Sequence, residues 1–247
     1  MKTLKEYINE VLLTEGLLDI ENNINYDISK DVIEEFLKEN YNIKGAHTIK
    51  KTKDGFVVDV KGSIMVKNKD ITSLTNEFFE FGSVSENFNC HACESLTSLQ
   101  GAPKEVGGRF CCNWCNSLKN LEGAPKKVGG GGFDCAHCDN LTSLKGAPQK
   151  VDGGFDCMCC PSLTSLESAP KKVGGGFDCG HCKSLTSLIG APKEVGGNFY
   201  CIYCESLRSL EGAPRKVGGY FCCNNCGVKF KTVEIKKYVK TAKYIRA

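Results

Sequence analysis

The chain has 247 residues, 41% of them hydrophobic, and a formal net charge of +3, enough to bury a sizeable core but too little charge to imply a polyanion partner by itself. No apolar run approaches the roughly 18 residues of a membrane span, so no membrane association is expected. No secretory pattern opens the chain, so a reducing cytosol is expected, in which the 17 cysteines stay as thiols or bind metal.

In chain order, residues 1–15 place Leu4, Tyr7, Ile8, Val11 and Leu12 on one stripe of an amphipathic helix, broken at Gly16. Residues 16–54 read as a linker containing a short helix, in which Val32, Ile33, Phe36 and Leu37 share a face. From Gly55 the period changes to two, with Phe56, Val58 and Val60, then Ile64 and Val66. Residues 55–87 are therefore expected to form capping strands and a degenerate first repeat without cysteine. Between 88 and 227 a 22-residue unit recurs, F-x-C-x-x-C-x-[SN]-L-x-x-L-x-[GS]-A-P-x-x-V-x-G-x, starting at Phe88, Phe110, Phe133, Phe155, Phe177 and Phe199. A seventh unit starts at Phe221 and stops short, and the Phe110 unit carries one extra glycine. Units this short cannot bury their own apolar face, so they must stack. The expected fold is a solenoid with one short parallel strand per coil. The tail, 228–247, has Ile235, Tyr238, Val239, Ala242 and Ile245 at helical spacing and is read as a C-terminal capping helix.

The segment C-x-x-L, as in Cys93-Glu-Ser-Leu96 and Cys138-Asp-Asn-Leu141, resembles the constant half of leucine-rich repeats. The resemblance implies a leucine-rich-repeat-like solenoid, although Phe and Cys replace the usual strand leucines. Leu-Thr-Ser-Leu…Gly-Ala-Pro repeats of this kind also look like those of large tailed-bacteriophage proteins. The opening Met1-Lys-Thr-Leu-Lys-Glu-Tyr-Ile-Asn-Glu10 is similar to capsid-targeting peptides of phage internal head proteins. That resemblance implies docking on the prohead scaffold through residues 1–15. It also implies cleavage by a prohead protease at the L-x-E motif Leu13-Thr-Glu15, before Gly16. The address implied is the virion interior and then the host bacterial cytoplasm. The alternative for residues 1–15 is a helix packed on the domain.

Seven C-x-x-C pairs stand in register. One reading is a ladder of structural thiols, the first cysteine inward on the strand and the second satisfying backbone groups at the turn. The alternative cofactor is zinc, held by stacked pairs among Cys90, Cys93, Cys112, Cys115, Cys135, Cys138, Cys157, Cys160, Cys179, Cys182, Cys201 and Cys204; disulfide or redox use is a third. Val66 and Lys69 of the degenerate repeat fall where the two cysteines would stand, which suits a merely apolar first site. Cys111, Cys159 and Cys222 lie outside the ladder and are expected to be the exposed thiols. His91, His137 and His181 sit beside cysteines but at variable positions, whereas nucleophilic catalysis needs one site with an orienting partner. No catalytic residue is assigned and no enzyme activity is expected.

Function in repeat proteins sits at positions the repeat leaves free. Outward strand positions give Arg109, Asp134, Asp156, Asp178, Tyr200 and Tyr220, an acidic stripe flanked by aromatics. Trp114, His137, Met158, His181, Tyr200, Ile202 and Tyr203 are the candidate partner-binding residues, since Trp and Tyr anchor interfaces. The partner expected is a host or virion protein. A second stripe, Lys104, Lys126, Lys127, Lys150, Lys171, Lys172, Lys193, Arg215 and Lys216, could track phosphates. Glu105 and Glu194 oppose it, and nucleic acid is the lesser alternative.

Overall fold

The computed structural model describes residues 30–76 and 78–247; the targeting helix and the cleavage motif Leu13-Thr-Glu15-Gly16 lie outside them. The chain forms a parallel β-solenoid of about nine coils with roughly 22 residues per turn. Helix α1 (Lys30–Asn40) buries Ile33, Phe36 and Leu37. Strand β1 (Tyr41–Thr52) follows where the sequence suggested linker, and pairs antiparallel along its whole length with β2 (Gly55–Val66). The partner decides here: the polar segment 41–52 has weak strand patterning of its own, and β2 supplies the ladder. Gly45 and Gly62 face each other at φ +110° and +149°, where an added Cβ would meet backbone oxygen at 2.1 and 1.8 Å.

Each coil contributes two short parallel strands, not the single one expected. In the first stack the end of β2 pairs with β4 (Phe88–Asn89). The stack continues through β6 (Arg109–Cys111), β8 (Gly132–Asp134), β10 (Phe155–Asp156), β12 (Phe177–Asp178), β14 (Phe199–Tyr200) and β16 (Tyr220–Cys222). In the second, the start of β2 pairs with β3 (Phe79–Val84). That stack continues through β5 (Glu105–Val106), β7 (Lys127–Val128), β9 (Lys150–Val151), β11 (Lys172–Val173), β13 (Glu194–Val195) and β15 (Lys216–Val217). The second strand forms because the valine before the glycine turn points inward in every coil. Its backbone is thereby held extended beside the equivalent valine.

The core is a set of one-residue columns. Phenylalanine rings from Phe88 to Phe221 stack at centroid separations of 5.2–5.4 Å and within 9° of parallel, an offset arrangement that aromatic quadrupoles favour. Beside them run two leucine columns and the valine column, all buried. The turn glycine of Gly-Ala-Pro takes φ near +90° and lies against the preceding coil, where a Cβ at Gly190 would meet backbone at 2.3 Å. Ser168 occupies the same place at φ +70°, the one coil that tolerates a side chain there. The extra glycine of the Phe110 unit is accommodated at Gly130, which has open space around it.

Both ends are closed. At the N-terminal end Phe81 meets Phe88 edge-on, at 72°, and Phe79, Phe81, Phe36 and Tyr41 continue as tilted and edge contacts, so parallel stacking stops. At the C-terminal end the helix is shorter than the pattern suggested: α2 spans only Thr232–Tyr238 and buries Ile235. Ala242 and Ile245 are not on it. The chain instead adds strand β17 (Tyr244–Arg246) to β16, with Ile245 opposite Phe221, and Val217 donates its N–H to the Thr241 carbonyl. The last coil presents a row of unpaired backbone groups, and pairing them outweighs continuing the helix. This strand also covers Cys222, which is buried at 6% exposure and not among the accessible thiols; Arg246 stands opposite it. No helix among the described residues is long and apolar enough to cross a membrane.

Candidate binding face

The C-x-x-C turn builds the face. In the coils that carry Asn or Asp before the first cysteine, that side chain accepts a hydrogen bond from the backbone N–H two residues on. These are Asn89 to His91 (2.9 Å), Asp134 to Ala136 (3.1 Å), Asp156 to Met158 (3.0 Å) and Asp178 to Gly180 (2.8 Å). Such Asx turns reverse the chain. The next residue then adopts the left-handed region: Ala92, Trp114, His137, Cys159, His181, Tyr203 and Asn225 all have φ between +52° and +59°. For non-glycine residues this conformation costs about 1–2 kcal/mol. The repeat offsets it by aiming each N–H along the axis, so that Trp114, His137, Cys159, His181 and Tyr203 donate to carbonyls of the following coil at 2.8–3.1 Å.

The cysteines themselves are donors. The first thiol of a pair points at a carbonyl one coil ahead, as Cys157 does to Asp178 O at 3.3 Å. The second points at the first cysteine's carbonyl one coil back: Cys115 to Cys90, Cys138 to Cys112, Cys160 to Cys135, Cys182 to Cys157 and Cys204 to Cys179, all at 3.2–3.3 Å. Burial pushes the thiols of Cys112, Cys135 and Cys179 well up from the ordinary value, so they stay protonated and able to donate. Among the described residues no group of three or more His, Cys, Asp or Glu side chains is gathered as metal ligands would be.

The seven candidate residues fall on three adjoining columns. Tyr200 stands on the strand column with the aspartates, its hydroxyl accepting from Asn198 Nδ2 at 2.7 Å. Met158 and Ile202 occupy the first loop position and are half-buried. Trp114, His137, His181 and Tyr203 share the second. The structure brings these four together in pairs: the Trp114 and His137 rings stack at 4.2 Å and 2°, and those of His181 and Tyr203 at 4.7 Å and 15°. Cys159 takes the rung between the pairs and is half-buried. Trp114 is 49% exposed and Tyr203 44%. The spacing of one period was visible in the sequence; the pairing was not, because it depends on the left-handed turn.

The acidic stripe is less uniform than its sequence. Arg109 Nη2 lies 2.6 Å from Asp134 Oδ2, and Asp134 is only 4% exposed. Asp156, in register with Asp134 and Asp178, has its carboxyl pushed up to about 6 by burial, with Asp178 and Asp134 adding repulsion. Burial also raises Asp178. A raised carboxylate pKa means that ionisation opposes folding. The penalty is absent below the unfolded value of about 3.9 and complete above pH of about 6. Asp156→Asn keeps the turn acceptor, as Asn89 shows. Discounted for partial exposure, it is expected to add about 1–2 kcal/mol of stability at pH 8 and almost none at pH 4. Denaturant melts at the two pH values check this, and a variant no more stable at pH 8 contradicts it.

The lysine stripe resolves into two columns. Glu105, Lys127, Lys150, Lys172, Glu194 and Lys216 lie on the second strand stack. They pair largely with one another, Lys127 to Glu105 at 2.7 Å and both Lys172 and Lys216 to Glu194 at 3.4 and 3.1 Å. The residues just before them, Lys104, Lys126, Gln149, Lys171, Lys193 and Arg215, form an outer column. No family model matches the sequence, and no curated protein or solved structure matches it.

Proposed function

We propose that the solenoid is a non-enzymatic protein-binding module whose contact face is the C-x-x-C edge. The observation that carries this reading is the pair of ring stacks, Trp114 on His137 and His181 on Tyr203, held half-exposed on a backbone that cannot relax. Rings fixed in advance bury large area at low entropic cost when a partner covers them. Met158, Ile202 and Tyr200 border them, and Asp156 and Asp178 add negative charge, so a partner segment bearing basic side chains fits best.

Replacing Trp114 and Tyr203 by alanine tests the face. Ala92 already occupies the equivalent left-handed position at φ +52°, so the double variant is expected to lose only about 1 kcal/mol of stability while partner binding falls at least about a hundredfold. Quantitative recovery of host and virion proteins on wild-type and variant solenoid gives the binding arm, and thermal melts give the other. Equal recovery by both forms, or a collapse of stability in step with binding, sinks the reading. Trp114 is the only tryptophan, so its fluorescence reports contact at this face directly.

The setting is a separate proposal. The likeness of residues 1–15 to phage capsid-targeting peptides, and of the Leu-Thr-Ser-Leu…Gly-Ala-Pro repeats to those of large tailed-bacteriophage proteins, supports an internal head protein delivered to the host. A virion form of the protein beginning at Gly16 supports it; an uncut form confined to infected-cell lysate removes it.

A further inference from the structure

The outer cation column does not end with the repeats. Backbone hydrogen bonds join its rungs, Lys193 N to Lys171 O, Arg215 N to Lys193 O and then Lys240 N to Arg215 O, so the C-terminal cap supplies one more rung. Helix α2 adds Lys237 and Tyr238 alongside. Together they line a cleft of about 620 Å³, and no carboxylate is among its lining residues. Its floor is the small-residue turn of three successive coils, Ala169, Ala191 and Ala213 with Gly190 and Gly212. Those glycines lie so close to the preceding coil that no side chain could rise from them, and long cationic chains stand around a low floor.

Several lysines elsewhere on the repeats are ion-paired. Lys104, Lys127 and Lys145 each have a glutamate at 2.7 Å. The side chains of Lys171, Lys193, Arg215 and Lys237 have no ion-pair or hydrogen-bond partner among the described residues. Lys240 Nζ is partly engaged, donating to the Lys237 carbonyl at 2.7 Å. Glu194 is occupied by Lys172 and Lys216, which hold its carboxyl below the usual range. Four unneutralised cations facing one cavity repel one another, and an anion between them removes that repulsion.

The anion is compact. Gln149 breaks the outer column between Lys126 and Lys171, and α2 walls the cleft at the other end, so the track is too short for a long phosphodiester chain. We propose that this cleft binds a small ligand carrying several phosphate groups, with Lys171, Lys193, Arg215 and Lys237 taking the phosphate oxygens. Arg215 can do so through two parallel N–H donors. Tyr238, 37% exposed at the rim, offers a ring face on which a nucleobase could stack. Inorganic polyphosphate and a nucleoside triphosphate share the phosphate chemistry and differ at Tyr238.

Calorimetric titration of the full chain with inorganic tripolyphosphate, with ATP and with a fifteen-nucleotide oligothymidylate at 0.15 M salt tests the proposal. One tripolyphosphate or ATP is expected per chain. Lys171→Gln/Lys193→Gln/Arg215→Gln is expected to weaken it at least about tenfold. Lys104→Gln/Lys127→Gln/Lys145→Gln, which removes the same charge from paired positions, is expected to leave it unchanged. Lys237→Gln alone, on the helix, repeats the test without touching the repeats. ATP binding tighter than tripolyphosphate, with the difference lost in Tyr238→Ala, assigns a nucleotide; equal affinities assign polyphosphate. The proposal is overturned if both triple variants weaken binding alike, if neither small ligand binds, or if only the oligonucleotide does.

Discussion

Phe155→Ala is expected to lower the unfolding free energy by about 3–5 kcal/mol, the usual cost of deleting a buried ring. Phe155 is 1% exposed and lies between Phe133 at 5.3 Å and Phe177 at 5.4 Å. Its loss therefore opens a cavity on both sides of one coil. In a stacked array each coil is stabilised only by its neighbours, so the cavity weakens two interfaces at once and the halves have no other contact to fall back on. Urea titration followed by far-ultraviolet circular dichroism measures the change. A reduced slope as well as a reduced midpoint is expected, because the array can now open at the damaged coil. Phe155→Leu should recover part of the loss, since it restores apolar volume without the stacked ring. A loss below about 1 kcal/mol for the alanine variant would mean that the ring column does not carry the core.

Thiol reactivity should show the second large effect. Of 17 cysteines, 14 are buried and only Cys111, Cys159 and Cys226 are half-exposed. An aromatic disulfide reagent at pH 8 is therefore expected to titrate at most about three thiols in the folded protein and all 17 after unfolding in guanidinium. Cys226 reacts first because its hydrogen bond with Cys201 lowers its pKa, then Cys159 and Cys111, which burial raises (Cys111 to about 11). The remainder should react slowly, at the rate of coil opening. Electrostatics act in the same direction: the hydrogen bond with Cys182 together with burial raises Cys157, and burial together with the hydrogen bond to Cys226 raises Cys201, both well above the ordinary thiol value, so little nucleophilic thiolate forms there. Metal analysis of protein purified without chelator belongs in the same experiment. Several zinc ions per chain, released on unfolding together with the shielded thiols, would replace the thiol ladder by a metal ladder.

Much of the core was legible in the sequence because its periodicity is strict. Phe, first Cys, both Leu and Val recur at fixed offsets, and a residue that is apolar in every coil has to face inward. The degenerate first repeat was legible for the same reason, with Ile64 in register with Phe88. Strand β1 was not, since Gly45, His47 and Lys51 interrupt the alternation of Tyr41, Ile43 and Ile49, and its order comes from pairing with β2. Nor was β17: Ile235, Val239, Ala242 and Ile245 satisfy a helical spacing, and only the unpaired edge of the last coil selects extended backbone for the final residues. The candidate face was legible as a set of positions, but not as two ring stacks interrupted by Cys159. The aspartates looked like a uniform charged stripe, whereas Arg109 neutralises Asp134 and leaves Asp156 and Asp178 to the dielectric of the turn.

The sequence by itself determined the repeat length, the inward residue of every coil and the need for a cap, because burial of apolar side chains follows from pattern alone. Tertiary structure decided which charges are paired and which stand free, which rings stack, and how the ends close. Those outcomes depend on distances between side chains one coil apart and on backbone groups left unpaired at an edge. Lys171 and Lys172 are adjacent and chemically identical, yet one lines the cationic cleft and the other meets a glutamate at 3.4 Å.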